Sequence, residues 1–251
     1  MATTSNRVIP IKQLTSWSFS RYSDWRTCPL KAKLKHIDKI SEPLNTAMQR
    51  GNDIHHMAEH YVKGTLLKLP VELKLFKTDF ADLRKRYKAK KEPMIVEDQW
   101  AFTAAWEETR WNDWTHCWLR IKLDVAHYDG NILYKTDWKT GKYSDYKVAE
   151  YNEQLELYAL AAILMSARPD VVVRPRIGWL DEGFYTHPTD KAGAQVEYTK
   201  DDEARLKKEW LKRVTPMMKD TRFAPKPNAM CKWCFYGQAG KAKGGPGICK
   251  Y

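Results

Sequence analysis

The 251-residue sequence predicts an α/β domain with a mixed central β-sheet flanked by helices, and three observations carry that expectation. Residues 118–127 (WLRIKLDVAH) and 131–139 (NILYKTDWK) are β-branched and aromatic runs separated by Tyr128-Asp129-Gly130, whose Asp-Gly pair signals a hairpin. A strongly apolar helical stretch over about 148–165 follows, and VVVRPRIGWL at 171–180 supplies another strand. The chain shows no Pro/Ser-rich linker, internal repeat or low-complexity block, so one domain over 1–251 is the simplest organisation.

Taken in order, residues 1–12 read as a loose lead, and helices are expected near 20–36 and 46–63. A cationic helix near 78–90 (TDFADLRKRYKAK) precedes a strand near 94–104. That strand enters a tryptophan cluster, Trp100, Trp106, Trp111, Trp114 and Trp118, most of which read as core because tryptophan is highly buried on average. Beyond the hairpin, the 148–165 helix and the 171–180 strand, Thr199 with Asp202 three residues on forms a near capping box opening a charged helix to about Met218.

Composition narrows the partners. The chain carries 43 Lys+Arg against 31 Asp+Glu, a formal net charge of +12, the footprint of a protein that neutralises phosphates. Its 11 Trp and 13 Tyr, interleaved with cations, suit a channel in which unpaired bases stack while Lys and Arg follow the backbone. No signal peptide or long apolar run is visible, so no membrane partner and a reducing, soluble compartment are expected. Disulfides are not expected there among the five cysteines: Cys231-Lys232-Trp233-Cys234 is a C-x2-C pair, and Cys249 follows after a Gly/Lys-rich loop.

The hairpin carries the chemistry. Alternate residues of a strand share a face, so Asp137 and Lys139 stand side by side while Trp138 points the other way. Asp124 reaches the same face if the register sets it against Asp137. Two carboxylates beside one lysine form a site for Mg2+ or Mn2+, hard ions that take oxygen ligands, and the lysine can orient or deprotonate an attacking water. A solvated hairpin with an ordinary cross-strand salt bridge accounts for the same spacing. On a helix from about Arg50 to Val62, His55 shares a face with Gly51, Ala58, Glu59 and Val62, whereas His56 and His60 fall on a polar face. His55 is therefore either an inward metal ligand or a core histidine. Gln154 and Tyr158, four apart, share one face of their helix.

Four blocks in order resemble the PD-(D/E)XK nuclease superfamily, in its RecB-like branch of CRISPR-associated, helicase-linked and phage nucleases. They are LTSWSFSRYSDWRTCPLKAKLKHIDKI, the Gly51/His55/Glu59 helix RGNDIHHMAEHY, Asp124 with Asp137-Trp138-Lys139-Thr140-Gly141-Lys142, and EQLELYAL with Gln154 and Tyr158. The resemblance implies a restriction-endonuclease-like core over about 94–182 and a metal-cluster subdomain formed by 13–40 and 222–251. It implies catalysis by Asp124, Asp137 and Lys139, with the divalent ion on His55, Asp124, Asp137 and the Trp138 backbone carbonyl, and Gln154 and Tyr158 beside the site. It implies a [4Fe-4S] cluster on Cys28, Cys231, Cys234 and Cys249; the 14 residues between Cys234 and Cys249 keep Zn2+ as the alternative. The function so implied is a DNA exonuclease acting on single strands or free ends in recombination, repair or phage DNA metabolism. It would work in the cytoplasm, with a recombination or replication protein as a possible partner. The rival is a non-catalytic DNA-binding or scaffold subunit with a structural metal.

Overall fold

The computed structural model describes residues 13–251; the lead expected over 1–12 lies outside the described residues. The described residues divide into two compact units, one comprising residues 13–43 with Lys212–Tyr251, the other Leu44–Leu211. Among the described residues no helix is long and apolar enough to cross a membrane.

The larger unit is built on a six-stranded mixed sheet. Its strands are β1 (Met94–Phe102), β2 (Glu108–Thr109), β3 (Leu119–Asp129), β4 (Ile132–Lys139), β5 (Val172–Trp179) and β6 (Phe184–Thr186), in the order β2-β1-β3-β4-β5-β6. Only β4 and β5 run parallel, because helix α5 (Val148–Met165) crosses over between them; every other neighbour is antiparallel. The β3–β4 connection is shifted by one residue from the expected Asp-Gly turn: Asp129 still pairs with Ile132, leaving Gly130-Asn131 as the two-residue loop. Gly130 has φ +62°, the left-handed conformation such a loop requires.

Helices α3 (Thr46–Lys63) and α4 (Lys77–Ala89) cover one part of the sheet. Asn45 caps α3 through its side chain, accepting from Met48 N at 2.8 Å, and Gly64 ends it with φ +87°. Ile54, Ala58 and Val62 of α3 and Phe80 and Leu83 of α4 pack on Val96, Val125 and Trp138. Trp138 is stacked on Phe80 at 4.9 Å and meets Phe76 edge-on at 5.4 Å. Its indole lies directly over Gly178 of β5, where a Cβ would overlap the ring. Gly178→Ala is therefore expected to cost about 1–3 kcal/mol, as overpacking does. It should also disturb Asp137 and Lys139 on either side of Trp138; chemical denaturation of the variant checks the stability loss.

The smaller unit corrects the expected 20–36 helix. Helix α1 (Phe19–Thr27) stops at Cys28, whose extended backbone (φ −160°, ψ 111°) is what the following proline demands. Pro29 then opens the short α2 (Pro29–Ala32), which widens into an i→i+5 turn over Lys33–Ile37. Asp24, 11% exposed, accepts from Lys31 (2.8 Å), Lys35 (3.0 Å) and His36 (2.9 Å). Burial alone would raise its carboxyl, but the His36 and Lys31 contacts hold it well below the usual carboxylate range. A carboxylate depressed in the folded state contributes stability that is complete above its unfolded value near 4 and is lost as the pH falls toward the folded one. Asp24→Ala is accordingly expected to cost most at neutral pH and progressively less below about pH 4, a trend that urea denaturation at pH 7 and pH 3 measures. In the larger unit the charged helix α6 (Glu203–Met218) begins as expected, Thr199 N donating to Asp202 Oδ2 at 3.0 Å, and buries Leu206 and Trp210 there.

Candidate active site

The β3–β4 register continues Val125↔Thr136 to bring Asp124 opposite Asp137, but the backbone ladder ends one pair earlier. In its place Asp124 Oδ2 accepts the Trp138 N–H at 2.6 Å. In a strand the N–H and carbonyl of one residue point to the same edge, so the Trp138 carbonyl faces this gap as well. On the other side of β3, the pairs Val96↔Val125 and Asp98↔Leu123 set Glu97 against Asp124. Glu97 has φ +48°, a strained conformation inside a strand for a residue with a Cβ.

His55 reaches both carboxylates from α3. Its Nδ1 lies 3.4 Å from Asp124 Oδ1 and 3.5 Å from Glu97 Oε1, and ligand atoms of the three residues lie within 4.8 Å of one another. Burial pulls the imidazole down, but its contacts with Asp124 and Glu97 more than offset this and raise it to about 10.

Asp137 anchors a closed circuit of side chains. Lys135, fully buried, donates to Asp137 Oδ1 at 3.2 Å, and Lys139 Nζ lies 2.7 Å from Oδ2. Lys139 also donates to Gln154 Oε1 at 3.4 Å; Gln154 Nε2 donates to the Tyr158 hydroxyl at 2.8 Å. The Tyr158 ring lies 4.0 Å from Lys135 Nζ and closes the loop. Burial would raise Asp137, yet Lys135 and Lys139 hold it well below the carboxylate range. Burial lowers both lysines; Asp137 lifts Lys139 above the ordinary lysine range, whereas Lys135 stays depressed. Burial also pushes the Tyr158 hydroxyl up. Three carboxylates thus face three nitrogen bases that can carry positive charge.

A family model of the PD-(D/E)XK nuclease superfamily matches residues 16–239, a span containing Asp124 and the Asp137-Trp138-Lys139 run. The chain belongs to the PD-(D/E)XK nuclease superfamily. No curated protein matches it. PD-(D/E)XK nucleases act on DNA with divalent metals, and oxygen donors joined by one imidazole fit a hard divalent ion.

The structure brings His55, Asp124, Asp137, Lys139, Gln154 and Tyr158 into one region of the superfamily core. Sequence reasoning missed Glu97 and Lys135. Glu97 sits in Glu97-Asp98-Gln99, a polar interruption of an otherwise apolar strand, and Lys135-Thr136-Asp137-Trp138-Lys139 repeats charge with the period of a strand; both signals were present. Asparagine tolerates positive φ better than glutamate, so Glu97→Asn is expected to keep or raise the melting temperature while weakening Mn2+ binding about tenfold or more. Calorimetry and metal titration of one preparation check both halves. His56, Glu59 and His60 form a second trio on α3, but His56 is 70% exposed and Glu59 is tied to Lys63 at 2.7 Å.

Cys28, Cys231, Cys234 and Cys249 all belong to the smaller unit. Asn228 Nδ2 donates to Thr27 O at 3.0 Å, and Lys226 N lies 3.4 Å from Cys28 Sγ, so the segment leading to Cys231 runs beside Cys28. Asn228 N in turn lies 3.3 Å from Cys231 Sγ. The long Cys234–Cys249 spacing is taken up by a 3-10 turn over Gln238–Lys243 that folds back, pairing Cys249 with Gly237 and placing Cys249 N 3.0 Å from Tyr236 O. Cys117 is buried in the larger unit.

Proposed function

We propose that this protein is a Mg2+- or Mn2+-dependent deoxyribonuclease of the RecB-like branch, an exonuclease acting on single-stranded or end-containing DNA in recombination, repair or phage DNA metabolism in the cytoplasm. The observation that carries the reading is the meeting of His55, Glu97 and Asp124 beside the Asp137–Lys139 pair. His55, Glu97, Asp124, Asp137 and the Trp138 carbonyl would hold the metal, which when bound supplies Lewis acidity at the scissile phosphate. Asp124 does two jobs, since one oxygen fixes the Trp138 backbone and the other faces His55. Lys139, held between Asp137 and Gln154, donates to the attacking water or to a phosphate oxygen as charge grows there. Gln154 is steered by Tyr158 and so sets where the Lys139 amine points. Net charge +12 supports a polyanionic substrate.

The four cysteines are proposed to hold a [4Fe-4S] cluster, whose sulfurs stand farther apart than those around zinc. Backbone N–H groups of Lys226 and Asn228 would donate to two of its thiolates.

End-labelled single- and double-stranded DNA, incubated with Mg2+, Mn2+ or EDTA, tests the activity. Metal-dependent shortening from an end is the expected result; binding without degradation under every condition would leave a non-catalytic DNA-binding subunit instead. Iron analysis and visible absorption of anaerobically purified protein test the cluster, and stoichiometric zinc without iron would overturn it.

A further inference from the structure

The acidic site lies at one end of a face of β3 that continues into a cationic and aromatic surface. Arg120, Lys122 and Asp124 alternate along β3 and share that face, and all three are at least partly exposed whereas Leu119, Ile121 and Leu123 between them are buried. Across the ladder the same face of β1 presents Gln99 opposite Lys122. Gln99 lines a surface hollow with Glu108, Thr109, Arg110, Trp111, Asn112 and Asp113, the last held by Thr109 and the loop backbone. At its far end the Arg120 guanidinium lies 4.3 Å from the Trp114 ring centroid and 5.4 Å from that of Trp111. Trp114 is 76% exposed, and the Arg120 Nε is buried with no hydrogen-bond partner among the described residues. The loop bearing both indoles is pinned: Asp113 accepts from Thr109 Oγ1 at 3.0 Å, Thr115 N at 3.1 Å and His116 N at 3.0 Å. An exposed tryptophan held by a fixed loop against a cation is arranged for stacking rather than for filling a core.

We propose that Trp114, with Trp111 and Arg120, forms a stacking subsite for unpaired bases of a DNA strand whose backbone follows Lys122 to the acidic site. The proposal deepens the nuclease reading and rests on it for where the strand leads. Charge and chemistry select this occupant, since a polyanion with flat apolar bases matches cations alternating with indoles. Asp124 lies four residues along β3 from Arg120, about 13 Å. A stacked strand advances about 3.4 Å per nucleotide, so about four nucleotides span the distance from Arg120 to Asp124.

The test is fluorescence anisotropy with a labelled thymidine dodecamer in EDTA, where nothing is cut, on wild type, Trp114→Ala and Trp114→Phe. Trp114→Ala is expected to weaken binding about tenfold, Trp114→Phe to retain most of it, and blunt duplex DNA to bind both variants and wild type alike. Equal dodecamer affinity for Trp114→Ala and wild type overturns the subsite, as does an equal loss on blunt duplex DNA. Trp114 is exposed, and unchanged circular dichroism of the alanine variant excludes misfolding. Should wild type cut no DNA while Trp114→Ala still loses the dodecamer, the subsite stands and the nuclease reading falls. Should wild type cut DNA while Trp114→Ala binds normally, the nuclease reading stands and the subsite falls.

Discussion

Asp137→Ala is expected to abolish cleavage and, at the same time, to lower stability by about 3–5 kcal/mol. The second effect comes from Lys135, which has no exposed surface and whose ammonium would lose the carboxylate beside it. Removing one member of a buried ion pair costs far more than replacing both by apolar groups of similar size. The double variant Lys135→Met/Asp137→Leu should therefore regain most of the lost stability while remaining inactive. Equilibrium denaturation and cleavage assays on the two variants measure these effects separately. An Asp137→Ala protein as stable as wild type would show that the Lys135 pair carries no structural weight.

Lys139→Met should behave differently, cutting DNA roughly a hundred- to a thousandfold more slowly with little change in DNA affinity and a smaller loss of stability than Asp137→Ala. Lys139 is 25% exposed, methionine keeps most of its aliphatic length, and Asp137 retains Lys135 as a partner. Steady-state kinetics would register the change in kcat with KM nearly constant. A rise confined to KM would place Lys139 in substrate capture instead of chemistry.

Much of this arrangement is written in local pattern. The Asp137-Trp138-Lys139 alternation, the inward face of the His55 helix and the Gln154–Tyr158 spacing are periodicities that depend only on a few neighbouring residues. The elements around them were legible for the same reason. Features set by tertiary contact were less so. Pro29 divides an N-terminal helix that apolar spacing alone would have continued. Glu97 becomes part of the site only because β1 pairs with β3 in a register that sets it against Asp124, and because its backbone takes a left-handed turn. Lys135 looks like an ordinary surface lysine until α5 places Tyr158 against it. The tryptophans divide in the same way: Trp100 and Trp106 are buried, whereas Trp114 stands out in solvent.

The place where the β3–β4 ladder stops has a consequence for spectroscopy. Since the Trp138 amide is bound by the Asp124 side chain and not by a strand carbonyl, its proton chemical shift and exchange rate register what that carboxylate is doing. A cation drawing charge from Asp124 would weaken this one bond while leaving neighbouring ladder amides untouched. A single backbone resonance therefore serves as a gauge of metal loading, readable without substrate or turnover.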